Sequence, residues 1–153
     1  MIRKLFYIFV FIFVSKPAFS LIEVDITRGN LDPLPIAVSP LHVDLKSEYI
    51  GDLNVKNLGS DISSIIEKNF KGTGLFNPLK KDAFVQKPDI AHLKPRFEDW
   101  RLIKAQALVT GKLLIKDNKL KIEFRLWDLT AAKEMTALAF TTTPSNWRRV
   151  AHI

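Results

Sequence analysis

The stretch Ala105–Leu129, AQALVTGKLLIKDNKLKIEFRLWDL, decides the fold. In its second half Ile122, Phe124 and Leu126 interleave with Glu123, Arg125 and Trp127, the period-two pattern of a strand with one buried face. Asp117-Asn118 separates two such runs. Both residue types tolerate the positive φ of a two-residue hairpin turn, so Ala107–Lys116 and Lys119–Leu129 are expected to pair antiparallel. A second turn through Thr130–Lys133 leads to Met135–Thr143, where Ala137, Ala139 and Thr141 alternate with Leu138, Phe140 and Thr142, which makes a three-strand meander. Pro144 has no N–H to donate and stops it, and Ser145 is expected to cap a helix from Asn146 that aligns Trp147, Val150 and Ala151 on one face. The sequence ends at Ile153 about two turns later, and isolated helices under roughly 12 residues are marginal without tertiary support. The segment reads as a truncated helix, the alternative being a short terminal helix docked on the sheet.

Upstream, Ile22, Val24 and Ile26 alternate with Glu23, Asp25 and Thr27, a short strand from Leu21 to about Arg28 that ends at Gly29-Asn30. Asp32-Pro33-Leu34-Pro35 is a stiff connection into a second strand, Ile36–Val38, closed by Pro40, and prolines this close predict an edge or lead-in position. His42–Asn57 is polar and reads as an irregular loop. Ser60 is expected to cap a helix with Ile62, Ile65, Ile66 and Phe70 on one face, stopped by Gly72 and Gly74. Leu75, Phe76 and Leu79 then return to the core, and a short helix over Phe97–Lys104 presents Phe97, Trp100 and Ile103. The fold class is therefore α/β (α+β), a mixed sheet of about five strands with an antiparallel meander and two main helices packed on it.

Residues 1–20 have the layout of a secretory signal peptide: Arg3 and Lys4, an apolar run Leu5–Val14, a helix-breaking Pro17, and Ala18-Phe19-Ser20 before a cleavage site between Ser20 and Leu21. A span of the hydrocarbon core needs about 20 residues, so no stable membrane span is expected after cleavage, the alternative being an uncleaved anchor. Residues 21–153 then form the mature domain, of a size to hold its own core. With no cysteine in the chain, a lipid anchor on sulfur and disulfides are both excluded. Loss of Arg3, Lys4 and Lys16 lowers the formal charge from +7 to +4, and only Lys80-Lys81 and Arg148-Arg149 are adjacent basic pairs downstream. No nucleic-acid partner is expected from so scattered an excess.

Reactive constellations are missing from the sequence. His42, His92 and His152 lie in separate segments without a second ligand at metal spacing, Gly111-Lys112 lacks the rest of a phosphate loop, and no Gly-x-Ser-x-Gly elbow occurs. Asp25, Glu123 and Asp128 read as solvated strand positions. No enzymatic activity, metal or cofactor is expected. Trp127 points away from Phe124 and Leu126, so it either packs under a helix on the second face or lies exposed as a binding anchor, packing being favoured.

DITRGNLDPLPIAV (Asp25–Val38), GLFNPL (Gly74–Leu79), PRFEDWRLI (Pro95–Ile103), AQALVTG, EFRLWDLTAAKEM and NWRRVAHI occur in this order along the chain. Together they resemble the amino-terminal domain family of TolB, the periplasmic component of the Tol-Pal envelope system, in its alphaproteobacterial form. The resemblance covers nearly all the chain after its first twenty residues, but the family's carboxy-terminal β-propeller has no counterpart here. It implies a sheet with two main helices and a protein-binding role in outer-membrane integrity and cell division. It further implies contact with the carboxy-terminal domain of TolA through the mature amino-terminal segment: Leu21, Ile22, Glu23, Val24, Asp25, Ile26, Thr27 and Arg28. Binding of the peptidoglycan-associated lipoprotein is not expected, because the family does this with the propeller. The alternative is a non-functional or split-gene remnant of a full-length member, and a third reading, a nucleic-acid-binding α/β module, lacks a basic stripe. If the rest of the last helix is missing, apolar surface should be left uncovered.

Overall fold

The computed structural model describes residues 32–44, 49–50 and 53–152, which belong to the unit Leu31–Ile153. The signal peptide, its cleavage site and the strand expected from Leu21 lie outside the described residues. In chain order, strands β1 (Leu34–Val38), β2 (His42–Asp44), β3 (Tyr49–Ile50) and β4 (Leu53–Asn54) precede helix α1 (Leu58–Thr73). Then β5 (Phe76–Pro78) leads through short helices α2 (Pro88–Ala91) and α3 (Phe97–Leu102) to β6 (Ala107–Lys116), β7 (Lys119–Asp128) and β8 (Lys133–Thr142). Helix α4 (Trp147–Ala151) follows a 3-10 turn at Pro144–Asn146. The main sheet is open and six-stranded, in the order β5-β1-β6-β7-β8 with β2 also on β6, while β3 and β4 form a separate ribbon.

The meander is as expected. β6 and β7 pair from Ala107↔Asp128 to Lys116↔Lys119, and Asp117 and Asn118 take φ of 50° and 56°, the doubly left-handed turn whose twist matches the strands it joins. β8 pairs antiparallel with β7, with a register shift beside Leu126/Trp127 that leaves Met135 as the extra residue.

Four local expectations need correction. The segment read as a loop contributes β2, parallel to β6 at His42↔Lys112 through Asp44↔Leu114, and the β3–β4 ribbon. β1 runs along the same side of β6 at Ile36↔Ala107 through Val38↔Val109, so the chain advances four residues from Val38 to His42 against three on β6. Pro40 sits in that bulge, and Leu41 N–H turns away to the Gly59 carbonyl at 3.1 Å. Secondly, β1 is interior, between β5 and β6, so the edge position fails while the lead-in position holds. Pro35 is tolerated because pairing with β6 starts one residue later; its carbonyl accepts the Gln106 N–H at 2.9 Å.

Thirdly, α1 starts at Leu58 with Asn57 at the cap, and Ser60 lies inside the first turn, its carbonyl accepting the Ser63 and Ser64 hydroxyls. Leu58 is 1% exposed, so burial sets the helix start in place of a capping hydroxyl. The stop is Gly74 alone, at φ 72°, with Gly72 still helical. Fourthly, Ser145 caps nothing: α4 begins at Trp147, and the Ser145 hydroxyl lies 3.2 Å from that of Thr143. Two smaller differences are that α3 ends at Leu102 and that Leu75 is exposed.

Helices cover both faces of the sheet. Leu58 and Ile62 of α1 and Trp147 of α4 pack with Leu113, Leu120 and Ile122 of the sheet. The five-residue α4 is held by this packing and by the Asn69 side-chain amide, which donates to the Ala151 carbonyl at 3.1 Å. Beneath α2 and α3 lie Ala37, Ala91, Trp100, Leu108, Trp127 and Leu129. The Trp127 indole donates to the Thr110 hydroxyl at 2.9 Å and its ring meets Phe97 edge-on, so this tryptophan is packed, as favoured. Trp100 donates to the Gln86 amide oxygen at 2.9 Å.

Candidate partner-binding surfaces

Leu21, Ile22, Glu23, Val24, Asp25, Ile26, Thr27 and Arg28, the sequence candidates for partner contact, lie outside the described residues. Glu123, Asp128, His42 and His92 all have structural partners, while His152 is exposed. Asp128 accepts the Ala131 N–H at 2.8 Å in the β7–β8 turn. Glu123 stands between Lys121, at 2.8 Å, and Lys112, at 3.4 Å. The Lys121 ammonium bonded to it, with help from Lys112, holds its carboxyl below the usual range. Gly111 is a strand residue of β6, where a Cβ would collide with the Glu123 carbonyl.

Sequence separation hid one pairing: the His42 and His92 rings stack with centroids 4.3 Å apart and planes within 6°. Parallel pairing of β2 with β6 places His42 beneath α2, where the Pro88 carbonyl lies 3.0 Å from His92 Nδ1. Burial and then His92 and Lys112 push the His42 pKa down, while Asp44 and Asp89 pull it up. Among the described residues no group of three His, Cys, Asp or Glu is placed to hold a metal ion.

Three surface features remain, and they adjoin. The first is an apolar groove of about 170 Å³ on the α1 face, walled by Ile66, Phe70, Phe124, Leu138, Phe140 and Val150. Val150 and Ala151 of α4 close one end of it. Its floor is the inner face of β7 and β8, and its far wall is α1 with α4. The second is the outer edge of β8, with which no other described strand pairs. Nearly all of β8 is exposed, Met135 at 59% and Leu138 at 50%.

The third is the part of the opposite face of the meander that α2 and α3 leave open to solvent. The pleat gathers Lys112 and Lys116 of β6 with Lys119, Lys121 and Arg125 of β7 on one face, with Glu123 the carboxylate among them. Arg125 reaches Glu134 at 3.3 Å, and Lys94 lines a cavity of about 280 Å³ with His92, Lys112 and Arg125. These basic residues alternate along the strands, so the face leaves no adjacent basic pair in the sequence and its signal is the strand period.

The chain is thus an open-sheet α/β domain whose prominent surfaces offer a groove, a strand edge and a charged face. The sequence model of the TolB amino-terminal domain matches residues 22–135, and the chain belongs to that family. It is 63% identical over 155 aligned residues to the Tol-Pal system protein TolB of Pelagibacter ubique (strain HTCC1062), an alignment covering 100% of this chain and 34% of that protein. The chain therefore spans about a third of the length of that relative. The fold is shared with TolB from Acinetobacter baumannii, at TM-score 0.60 and 15% identity, over 80% of this chain and 26% of that one. It is shared more distantly with the LpoB carboxy-terminal domain from Escherichia coli, at TM-score 0.52 and 10% identity, over 75% of this chain and 86% of that one. No described helix is long and apolar enough to cross a membrane.

Proposed function

We propose that the chain is an exported, non-enzymatic protein-binding domain that works in the periplasm as part of the Tol-Pal system, in outer-membrane integrity and cell division. Residues 1–20 serve as its signal peptide, cleaved between Ser20 and Leu21, and residues 21–153 as the domain. The observation that carries this reading is membership of the TolB amino-terminal family together with 63% identity to a Tol-Pal protein along the whole chain.

The mature amino-terminal segment, Leu21 through Arg28, contacts the carboxy-terminal domain of TolA. Its sequence suits such a contact, because Ile22, Val24 and Ile26 alternate with Glu23, Asp25 and Thr27, so an extended conformation presents one apolar and one polar row. Such a segment adds to a partner's sheet edge through main-chain hydrogen bonds, with the side-chain rows supplying selectivity. Deletion of residues 21–32 is expected to abolish calorimetric binding to TolA while thermal unfolding of the remaining domain stays cooperative. Unchanged affinity in a folded deletion variant would sink the reading.

A further inference from the structure

The edge of β8 that no other described strand pairs with stands between two chemically different surfaces, and that placement specifies a ligand. Along β8, Thr136, Leu138 and Phe140 face the α1 side and line the apolar groove. Their neighbours Ala137, Ala139 and Thr141 face the other side, opposite Arg125, Glu123 and Lys121 of β7. These three side chains are short, and Glu134, nearer the start of β8, reaches across to Arg125 on the same side at 3.3 Å.

An exposed sheet edge is a template for another strand, and proteins that keep such edges free place charges, prolines or inward-pointing lysines along them. β8 carries such protection only at its first end, where Lys133, Glu134 and the bulge at Met135 lie; from Thr136 to Thr143 there is no charged residue and no proline. We infer that β8 is a docking edge for a partner polypeptide that enters as an additional strand, with carboxylates and aliphatic side chains at alternate positions.

The pleat imposes that alternation. A strand paired to β8 turns every second side chain toward the groove, where Leu138 and Phe140 are flanked by Ile66, Phe70 and Val150. The remaining side chains project over Ala137 and Ala139. There the cations outnumber the carboxylates: Lys112 and Lys121 share Glu123, Arg125 shares Glu134, and Lys116, Lys119 and Lys94 make no ion pair among the described residues. Strands lie about 4.8 Å apart, so a carboxylate on the added strand is two spacings from β7, a gap that extended arginine and glutamate side chains bridge. Neither surface alone specifies a strand, whereas the two together, one on each side of a single free edge, do. This inference does not involve residues 21–28.

The test uses the purified chain and a fluorescent peptide of alternating glutamate and valine, as long as β8, beside a peptide of the same composition with its glutamates in one block. The alternating peptide should bind with an affinity that falls as salt rises, and should slow amide hydrogen exchange from Met135 to Thr142. Lys121→Glu with Arg125→Glu should weaken it roughly tenfold and favour a lysine–valine peptide instead; Leu138→Lys, at an exposed position, should weaken it comparably without loss of the fold. Equal affinity for the blocked peptide, binding that leaves the β8 amides unprotected, or no binding at all would overturn the proposal. So would self-association that protects β8 without peptide, since a second copy would then own the edge.

Discussion

Single atoms set the geometry at the start of α1. A Cβ on Gly59 would collide with the Leu41 carbonyl oxygen, and the Val43 side chain lies 3.0 Å from where it would stand. Leu41 is held there because its N–H donates to the Gly59 carbonyl, so the bulge after β1 and the first turn of the helix are locked backbone to backbone. Gly59→Ala should therefore cost about 1–3 kcal/mol, read by chemical denaturation, since backbone cannot give way as a flexible side chain does. A neutral result would mean that helix and bulge are free to separate. His42 supplies a second prediction at this scale. Its folded pKa lies below the ordinary value of 6.5 through burial and then His92 and Lys112, against Asp44 and Asp89. As the pH falls from 6.5 the unfolded chain takes up the proton first. Stability from this group is thus complete above that value and is lost as pH drops through the folded pKa. His92→Gln removes one of the opposing charges and should flatten that loss in thermal unfolding followed between pH 7 and pH 5. An unchanged pH profile in that variant would show that the stacked rings are not coupled.

At the scale of elements, the β6–β7 hairpin rests on two residues in left-handed conformation, and it offers a two-sided test. Asn118→Gly, at φ 56°, relieves the Cβ penalty of that conformation and should stabilise by about 0.5 kcal/mol. Asp117→Pro demands φ near −65° where the chain has 50°, and should cost about 3 kcal/mol or more. Similar small effects from both would mean that the turn is not what fixes the register. This element was legible in sequence because its determinants are local: alternation, a turn dipeptide and pairing between neighbours. β2 was not, because three residues, His42–Asp44, carry no period, and their pairing partner lies some seventy residues away on β6. Pro35 pointed rightly to a lead-in position and wrongly to an edge, because a missing N–H matters only where a partner strand is present to receive it. At α1 the apolar face was read correctly from Ile62 to Phe70, but Ser60 looked like a cap because the burial of Leu58 against the sheet is a tertiary fact. The basic face was missed since charge was counted along the chain and not along the pleat. Residues 21–28 were reached by resemblance and by their alternation, and the described residues add nothing to that reading.

For the molecule as a whole, the two sides of the sheet are unequally finished. Beneath α2 and α3 the core closes over Trp100 and Trp127, whose indole N–H groups both find partners. On the other side α1 and α4 seal Leu113, Leu120 and Ile122, but the following residues of β7 and their partners on β8 are less covered. Phe124, Leu126 and Phe140 are only partly buried there, and Leu138 is half exposed. An apolar recess of about 170 Å³ with one wall of sheet and one of helix is a property of the assembled fold, since no single element contains it. Water is a poor occupant for such a surface, and an uncharged apolar probe a good one. The folded chain is therefore expected to bind Nile red saturably, while near-ultraviolet circular dichroism and cooperative unfolding show that packing is intact and exclude a loosened state as the cause. An uncharged dye keeps the basic face out of the measurement. Leu138→Gln places a polar amide at the mouth of the recess, where it still reaches water, so it should weaken dye binding several-fold with little change in stability. Equal dye binding by this variant, or none by the unaltered chain, would mean that the groove is closed in solution and that the α1 side of the sheet is complete as it stands.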